Sequence, residues 1–454
     1  MSDSAAKSSD TLSTESRPVL KLVFFTLFLD LVGFSIIFPL FPSMLTYYME
    51  QEGDTGLIGA VVSGLEQFTR LAGGPGDFGI VILFGGVLSA LYSLLQFLFA
   101  PLIGSLSDRF GRRPVLLVSI AGIAVSYVLW FFAGRFALLV LARVLGGIMA
   151  GNISTASAVV ADVTDARNRS KGMAIIGIAF GLGFVIGPAI GGLSAGINLI
   201  EHWPSLAQYG VNPFSMPALA ALCLSVVNLG YVAAKFTETR PKDLGASDRL
   251  RRSINPVALF RTEAYPGVTR TNLTNFLFLT AFSGMEFSLT FLAMDRLGYG
   301  PRQNALMFVF VGVTLAAVQG GYVRRWSAII GPKRMSIHGL LLTIPGLVTI
   351  GLAESTALLY VGLFFMAVGS AQVIPCLTAL ASIYAPPEEQ GRVLGVFRSL
   401  GALARALGPL CACVAYWQLG SAKAYFTGAA AIGLPLLMAA ALPNSAPDSE
   451  PAKA

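Results

Sequence analysis

Twelve long apolar runs recur along the 454 residues of the chain, and nothing else in it constrains the fold as tightly. A run of about 18 to 20 apolar residues crosses about 30 Å of hydrocarbon as a helix rising about 1.5 Å per residue. Inside a bilayer every backbone N–H and C=O must be satisfied within the chain, which leaves helices or closed barrels. The runs are continuous rather than alternating, so the spans read as helices. They lie near 19–46, 78–103, 113–134, 136–161, 171–195, 215–236, 271–293, 303–323, 334–353, 355–383, 391–417 and 422–442. Only 12% of the residues are charged, against about 25% in soluble domains. The chain is therefore expected to be an all-α polytopic membrane protein.

The formal net charge of +7 raises the question of a nucleic-acid partner. The basic residues, however, sit in short clusters between spans and not along one face, so the partner they imply is the bilayer. If the N-terminus is cytosolic, most Lys and Arg fall on the cytosolic side, which predicts a multi-pass protein with both termini there, in the plasma membrane or an organelle membrane. Residues 1–18 read as a disordered tail, 19–236 as one six-helix bundle, 237–270 as a cytosolic linker carrying Arg249, Arg251 and Arg252, 271–442 as a second bundle, and 443–454 as a tail. The first outside loop, Glu50 to Asp77, is long enough for a short amphipathic helix over Val61 to Leu71. Four Cys in apolar runs and two His signal neither a disulfide framework nor a metal site.

The two bundles echo each other, since Gly187-Pro188 in the fifth span recurs as Gly408-Pro409 in the eleventh. Duplicated helical bundles suit a transporter, because alternating access needs two bodies that rock about a central site.

The segment GSLSDRFGRRP, Gly104 to Pro114, places four charges in a turn between spans two and three. Gly104 permits close helix approach, and Asp108, Arg109, Arg112 and Arg113 have the spacing of an ion-pair latch. A solvated, positively charged turn fits the same residues. The spacing resembles the loop 2-3 signature of the major facilitator superfamily, and the likeness extends over all twelve spans. The resemblance implies a twelve-helix major facilitator fold of two pseudo-symmetric six-helix bundles. It also implies a cytosolic gate in which Asp108 and Arg112 act with Asp162 and Arg169 of ADVTDARNR. In span five, GLGFVIGPAIGG supplies Gly183, Gly187, Pro188, Gly191 and Gly192, and resembles the antiporter motif of the drug-proton antiporter branch. ARVLGGIMAGN, with Arg143, resembles that branch's third motif, whose Arg is implicated in proton transfer, and FTETRP resembles its sixth-span terminus with Thr237 in place of Pro. The second-half copy of the gate signature, near Gly321 to Arg334, keeps basic residues and lacks the Asp. RSLGALARALGPL and GMAIIGIAFGLGF are most similar to an animal tetracycline-transporter-like group, which implies an organic-compound antiporter with organic anions among its proposed substrates.

Ionisable side chains within spans cost about 2.5 to 3.5 kcal/mol each on insertion scales, so each demands a reason. Asp30, Arg143, Glu286 and Arg405 stand out. Asp30 lies in a stretch resembling the first span of bacterial tetracycline antiporters. All four also suit structural ion pairs between helices. The sharper expectation is that Glu286 carries a proton in competition with substrate, with Arg405 as its alternating partner, and that Asp30 with Arg143 does the same in the first half. Phe34, Asn152, Phe282, Phe287, Gln319 and Gln372 are expected as substrate-lining residues, though packing and interhelical hydrogen bonds suit them equally. With no nucleophile or acid-base cluster, no enzyme is expected. The expected activity is proton-coupled antiport of small amphipathic organic compounds by a monomer, using the proton gradient and no bound cofactor or metal. A facilitator or symporter of one metabolite, and a non-transporting receptor or scaffold, are the alternatives.

Overall fold

The computed structural model describes residues 16–53, 55–72, 77–164, 169–239, 266–385 and 390–443. The expected tails at 1–18 and 443–454 and the expected linker at 237–270 fall largely outside the described residues. The first half comprises α1 (Ser16–Ser35), α2 (Phe41–Glu52), α3 (Gly56–Ala72), α4 (Asp77–Phe110), α5 (Arg112–Phe131), α6 (Phe136–Met149), α7 (Asn152–Asp162), α8 (Arg169–Ser194), α9 (Leu199–His202) and α10 (Ser215–Lys235). The second comprises α11 (Pro266–Leu297), α12 (Pro301–Ala317), α13 (Arg324–Ile330), α14 (Pro332–Gly351), α15 (Thr356–Ile383), α16 (Gln390–Leu419), α17 (Ser421–Ala431) and α18 (Gly433–Ala440).

Among the described residues, twelve helical spans are long and apolar enough to cross a membrane. The first runs from Arg17 to Glu52, six residues beyond its expected end. It is not continuous, because Pro39 and Pro42 remove backbone donors and a 3-10 turn at Phe38–Leu40 separates α1 from α2. The fourth span breaks at Ala150-Gly151, so that Asn152 begins α7 deep within the bundle. The eighth carries a π-helical turn over Val318–Val323 between α12 and α13. The expected outside helix exists as α3, longer than predicted, with Ile58 and Val62 buried.

The halves repeat one packing device. Ser35 of α1 donates to the Gly183 carbonyl of α8 at 3.0 Å, and Ser283 of α11 donates to the Ala404 carbonyl of α16 at 3.2 Å. Each acceptor lies four residues before a Gly-Pro pair. A side chain at Gly183, Gly187 or Gly191 would overlap Leu31 or Val32 of α1 or Ile36 just after it, so this glycine stripe is what lets α8 lie flush on α1. Gly192 faces the other way, onto Ala305 and the Pro301 carbonyl of α12. Between the halves α4 packs along α16 and α8 along α12. Pro188 lies buried inside α8.

Even span number brings both described chain ends to one side, called here the terminal face. On the opposite face Tyr48 donates to the Ala133 carbonyl, Glu52 accepts from the Phe136 amide, and Asn212 donates to Ala133 at 2.9 Å. These bonds tie the loops of the first half together.

Candidate functional site

On the terminal face Arg112 is the hub of the latch. It is 5% exposed, and it meets Asp108 at 2.7 Å, Asp162 at 2.9 Å and the Ser107 hydroxyl at 2.7 Å. Gly111 precedes it at φ 104°, a conformation that favours glycine. Glu238, from the FTETRP segment, accepts the Arg112 and Arg113 amides at 2.9 and 3.1 Å and so caps α5, while Arg113 donates to the Ala233 carbonyl at 2.8 Å. Gly104 faces Ser154 of α7, and Arg109 lies over the Phe110 ring at 5.2 Å. The side chain of Arg169 lies outside the described residues. In the second half Gly331 repeats the turn at φ 85°, and Lys333 donates to the Leu442 carbonyl at 2.5 Å. The glycine and the cation recur there without the Asp.

Two cavities lie at the middle of the bundle. One is lined by residues that include Asp30, Phe34, Tyr92, Gln96, Tyr127 and Asn152. The other includes Phe41, Ser93, Ser283, Glu286 and Phe287. Phe34, Phe184 and Arg405 line both. Arg405 and Glu286 stand within electrostatic reach of each other, so the expected pair is brought together.

The expected direct pairing of Asp30 with Arg143 is not what forms. Asn152 donates to one Asp30 carboxylate oxygen, and Asn228 of α10 donates to the other at 3.2 Å. Arg143, 6% exposed, lies over the Tyr92 ring at 4.3 Å and the Phe34 ring at 5.8 Å, and its Nε has no hydrogen-bond partner. Cation–π contact with two rings substitutes for a counter-ion. Tyr92 and Tyr127 each lie within electrostatic reach of both Asp30 and Arg143.

Of the expected lining residues, Phe34, Asn152 and Phe287 line these cavities and three do not. Phe282 stacks on Phe278 at 5.8 Å, a packing contact. Gln319 falls in the π-helical turn and faces Gly181. Gln372 donates to the Val368 carbonyl of its own helix at 2.9 Å, while its buried Oε1 has no partner. Conversely, Asn228, Tyr92, Tyr127 and Phe184 are lining or contact residues that sequence reasoning passed over. Asn228 carried one legible signal, an amide in the middle of an apolar span. Nearer the terminal face Arg398 of α16 donates to Ser157 of α7 at 2.8 Å, joining the two halves.

Such a bundle, with isolated charges at its midplane and one latched face, defines a polytopic transporter. The chain belongs to the Major Facilitator Superfamily, whose pattern it matches in two overlapping stretches, residues 23–409 and 322–454. It is 34% identical to "Major facilitator superfamily domain-containing protein 10" of Mus musculus, over 93% of this chain and 92% of that protein. The crystal structure of the human organic anion transporter MFSD10 (TETRAN) superposes with a TM-score of 0.75 at 34% identity, covering 94% of this chain and all (100%) of that one. "Tetracycline resistance protein, class C" of Escherichia coli is 30% identical over 73% of this chain and 79% of its own length. The chain is thus a membrane-embedded major facilitator transporter of small molecules, related to tetracycline resistance proteins.

Proposed function

We propose that the chain is a proton-coupled antiporter of small amphipathic organic compounds, working by alternating access as a monomer, with its terminal face in the cytosol. The observation that carries this reading is Arg405, which lines both midplane cavities, one bearing Asp30 and the other Glu286. A single buried cation cannot neutralise two carboxylates at once, so at least one of them is favoured to hold a proton. An ionised carboxylate accepts a hydrogen bond or charge from a bound compound, and a protonated one offers less. Compound and proton then exclude one another, which is the requirement for exchange. The relatives named for tetracycline resistance and for organic anion transport support amphipathic organic ions as the cargo. Arg112, Asp108 and Asp162 would close the cytosolic gate, and the glycine stripe of α8 would supply the sliding face.

The test is tetracycline and fluorescein flux in proteoliposomes under an imposed pH gradient. Antiport predicts that reversing the gradient reverses net flux, and that Asp30→Asn and Glu286→Gln each lower gradient-driven flux by about tenfold or more. Flux insensitive to the gradient would mean a facilitator, and flux along the proton gradient would mean symport. Either result overturns the reading.

A further inference from the structure

The Asp30 carboxylate is gripped at both oxygens by amides from two different spans. Asn152 is 1% exposed and Asn228 0%. Asn228 also donates to the Thr26 carbonyl at 3.0 Å. A carbonyl and a carboxylate are both acceptors, so the amide nitrogen of Asn228 must face them. Its Oδ1 is left buried without a partner, which makes the orientation one that the acceptors enforce.

Two donors on two oxygens match an ionised carboxylate. A protonated acid turns one oxygen into a donor, and one of the two amides then loses its acceptor. The amides differ in what remains to them. Asn228 keeps Thr26, whereas Asp30 is the acceptor of Asn152. Asn152 is also the first residue of α7, immediately after the break at Ala150-Gly151. The other charged or titratable side chains facing this cavity are Tyr92 of α4, Tyr127 of α5 and Arg405 of α16, with Arg143 of α6 against the Tyr92 ring. Among the described residues α7, α8 and α10 bring none to it.

We propose that Asn152 and Asn228 are positioning residues for proton exchange at Asp30: together they hold its ionised carboxylate, and arrival of a proton releases Asn152, and with it the start of α7, while Asn228 stays anchored. The proposal rests on the reading of Asp30 as a proton-exchanging group. It adds which residues set that exchange and which helix feels it.

Infrared difference spectroscopy of the full chain in nanodiscs, titrated with pH, reads the step directly. The protonated-carboxyl band that disappears in Asp30→Asn belongs to Asp30. In Asn228→Leu and Asn152→Leu the titration midpoint of that band is expected about one pH unit or more above the parent's, because each variant removes a donor to the ionised form. Asn228→Ser, which keeps an O–H donor, is expected between parent and Asn228→Leu, and it serves as the test should the Leu variant fail to fold. Within parent protein, the amide band lost in Asn152→Leu should shift as Asp30 takes its proton, and the one lost in Asn228→Leu should shift less. Unchanged midpoints in the Leu and Ser variants, or equal shifts of both amide bands, overturn the proposal. Failure of the underlying reading looks different: Asp30→Asn would retain gradient-driven tetracycline flux whatever the midpoints do.

Discussion

Arg112 and Arg143 show how much a buried guanidinium depends on its surroundings. Arg112 has two carboxylates and a hydroxyl, whereas Arg143 has two aromatic rings. Removing Arg112 leaves Asp162, whose side chain is 13% exposed, without its cation, while Asp108 at 41% exposure can turn to water. Arg112→Ala is therefore expected to lower thermal stability in detergent more than Asp108→Asn, by roughly 1 to 3 kcal/mol. Equal losses would contradict the hub role. At Gly187 any side chain meets the Val32 carbonyl and Ser35, so Gly187→Val should cost about 1 to 3 kcal/mol in the same assay, and a silent substitution would show that α8 does not lie flush on α1.

At the scale of elements, α7 joins three regions with eleven residues. Asn152 holds Asp30, Ser157 accepts from Arg398 of the other half, and Asp162 holds Arg112. A short helix anchored by polar contacts at both ends and the middle can move as a strut, and loss of one anchor biases it. With the four native cysteines replaced, Ser157→Val should raise labelling of a cysteine placed by Ala150→Cys, approached from the terminal face, on the order of tenfold. Unchanged labelling would rule out the Ser157 contact as part of the closure. Spans of this kind are legible in sequence because hydropathy is a local property, and nine of the twelve lie within about four residues of their expected ends. The break that Pro39 and Pro42 impose on the first span was not among the expectations. The Asn228 contact was not legible, because its partner Asp30 is 198 positions away and only packing of α1 against α10 brings them together. A direct Asp30–Arg143 contact was not decidable for the same reason: charge complementarity is visible in sequence, but the Tyr92 and Phe34 rings packed against Arg143 are not.

The whole molecule is symmetric in its packing and asymmetric in its charges. With Ser35 placed on Ser283, Asp30 lies five residues before its serine and Glu286 three after, about 12 Å apart along the common helix frame. The two carboxyls are not symmetry mates, and Arg405 between their cavities has no counterpart at the matching position, which is Phe184. On the proposed antiport reading, the repeated halves would supply the rocking frame and the unrepeated charges the coupling. That division was half visible in the sequence, where Gly-Pro pairs repeat and the four costly charges do not. Proton-coupled antiport, as proposed, requires that cargo and proton move in opposite directions through one pathway. The most direct measurement is the internal pH of proteoliposomes holding a pH-sensitive dye, with no initial pH gradient, on adding tetracycline outside. Proton-coupled antiport predicts that tetracycline entry drives protons out and makes the lumen alkaline, with the signal lost in Glu286→Gln. A lumen that stays at constant pH while tetracycline enters, or that turns acid, would contradict it.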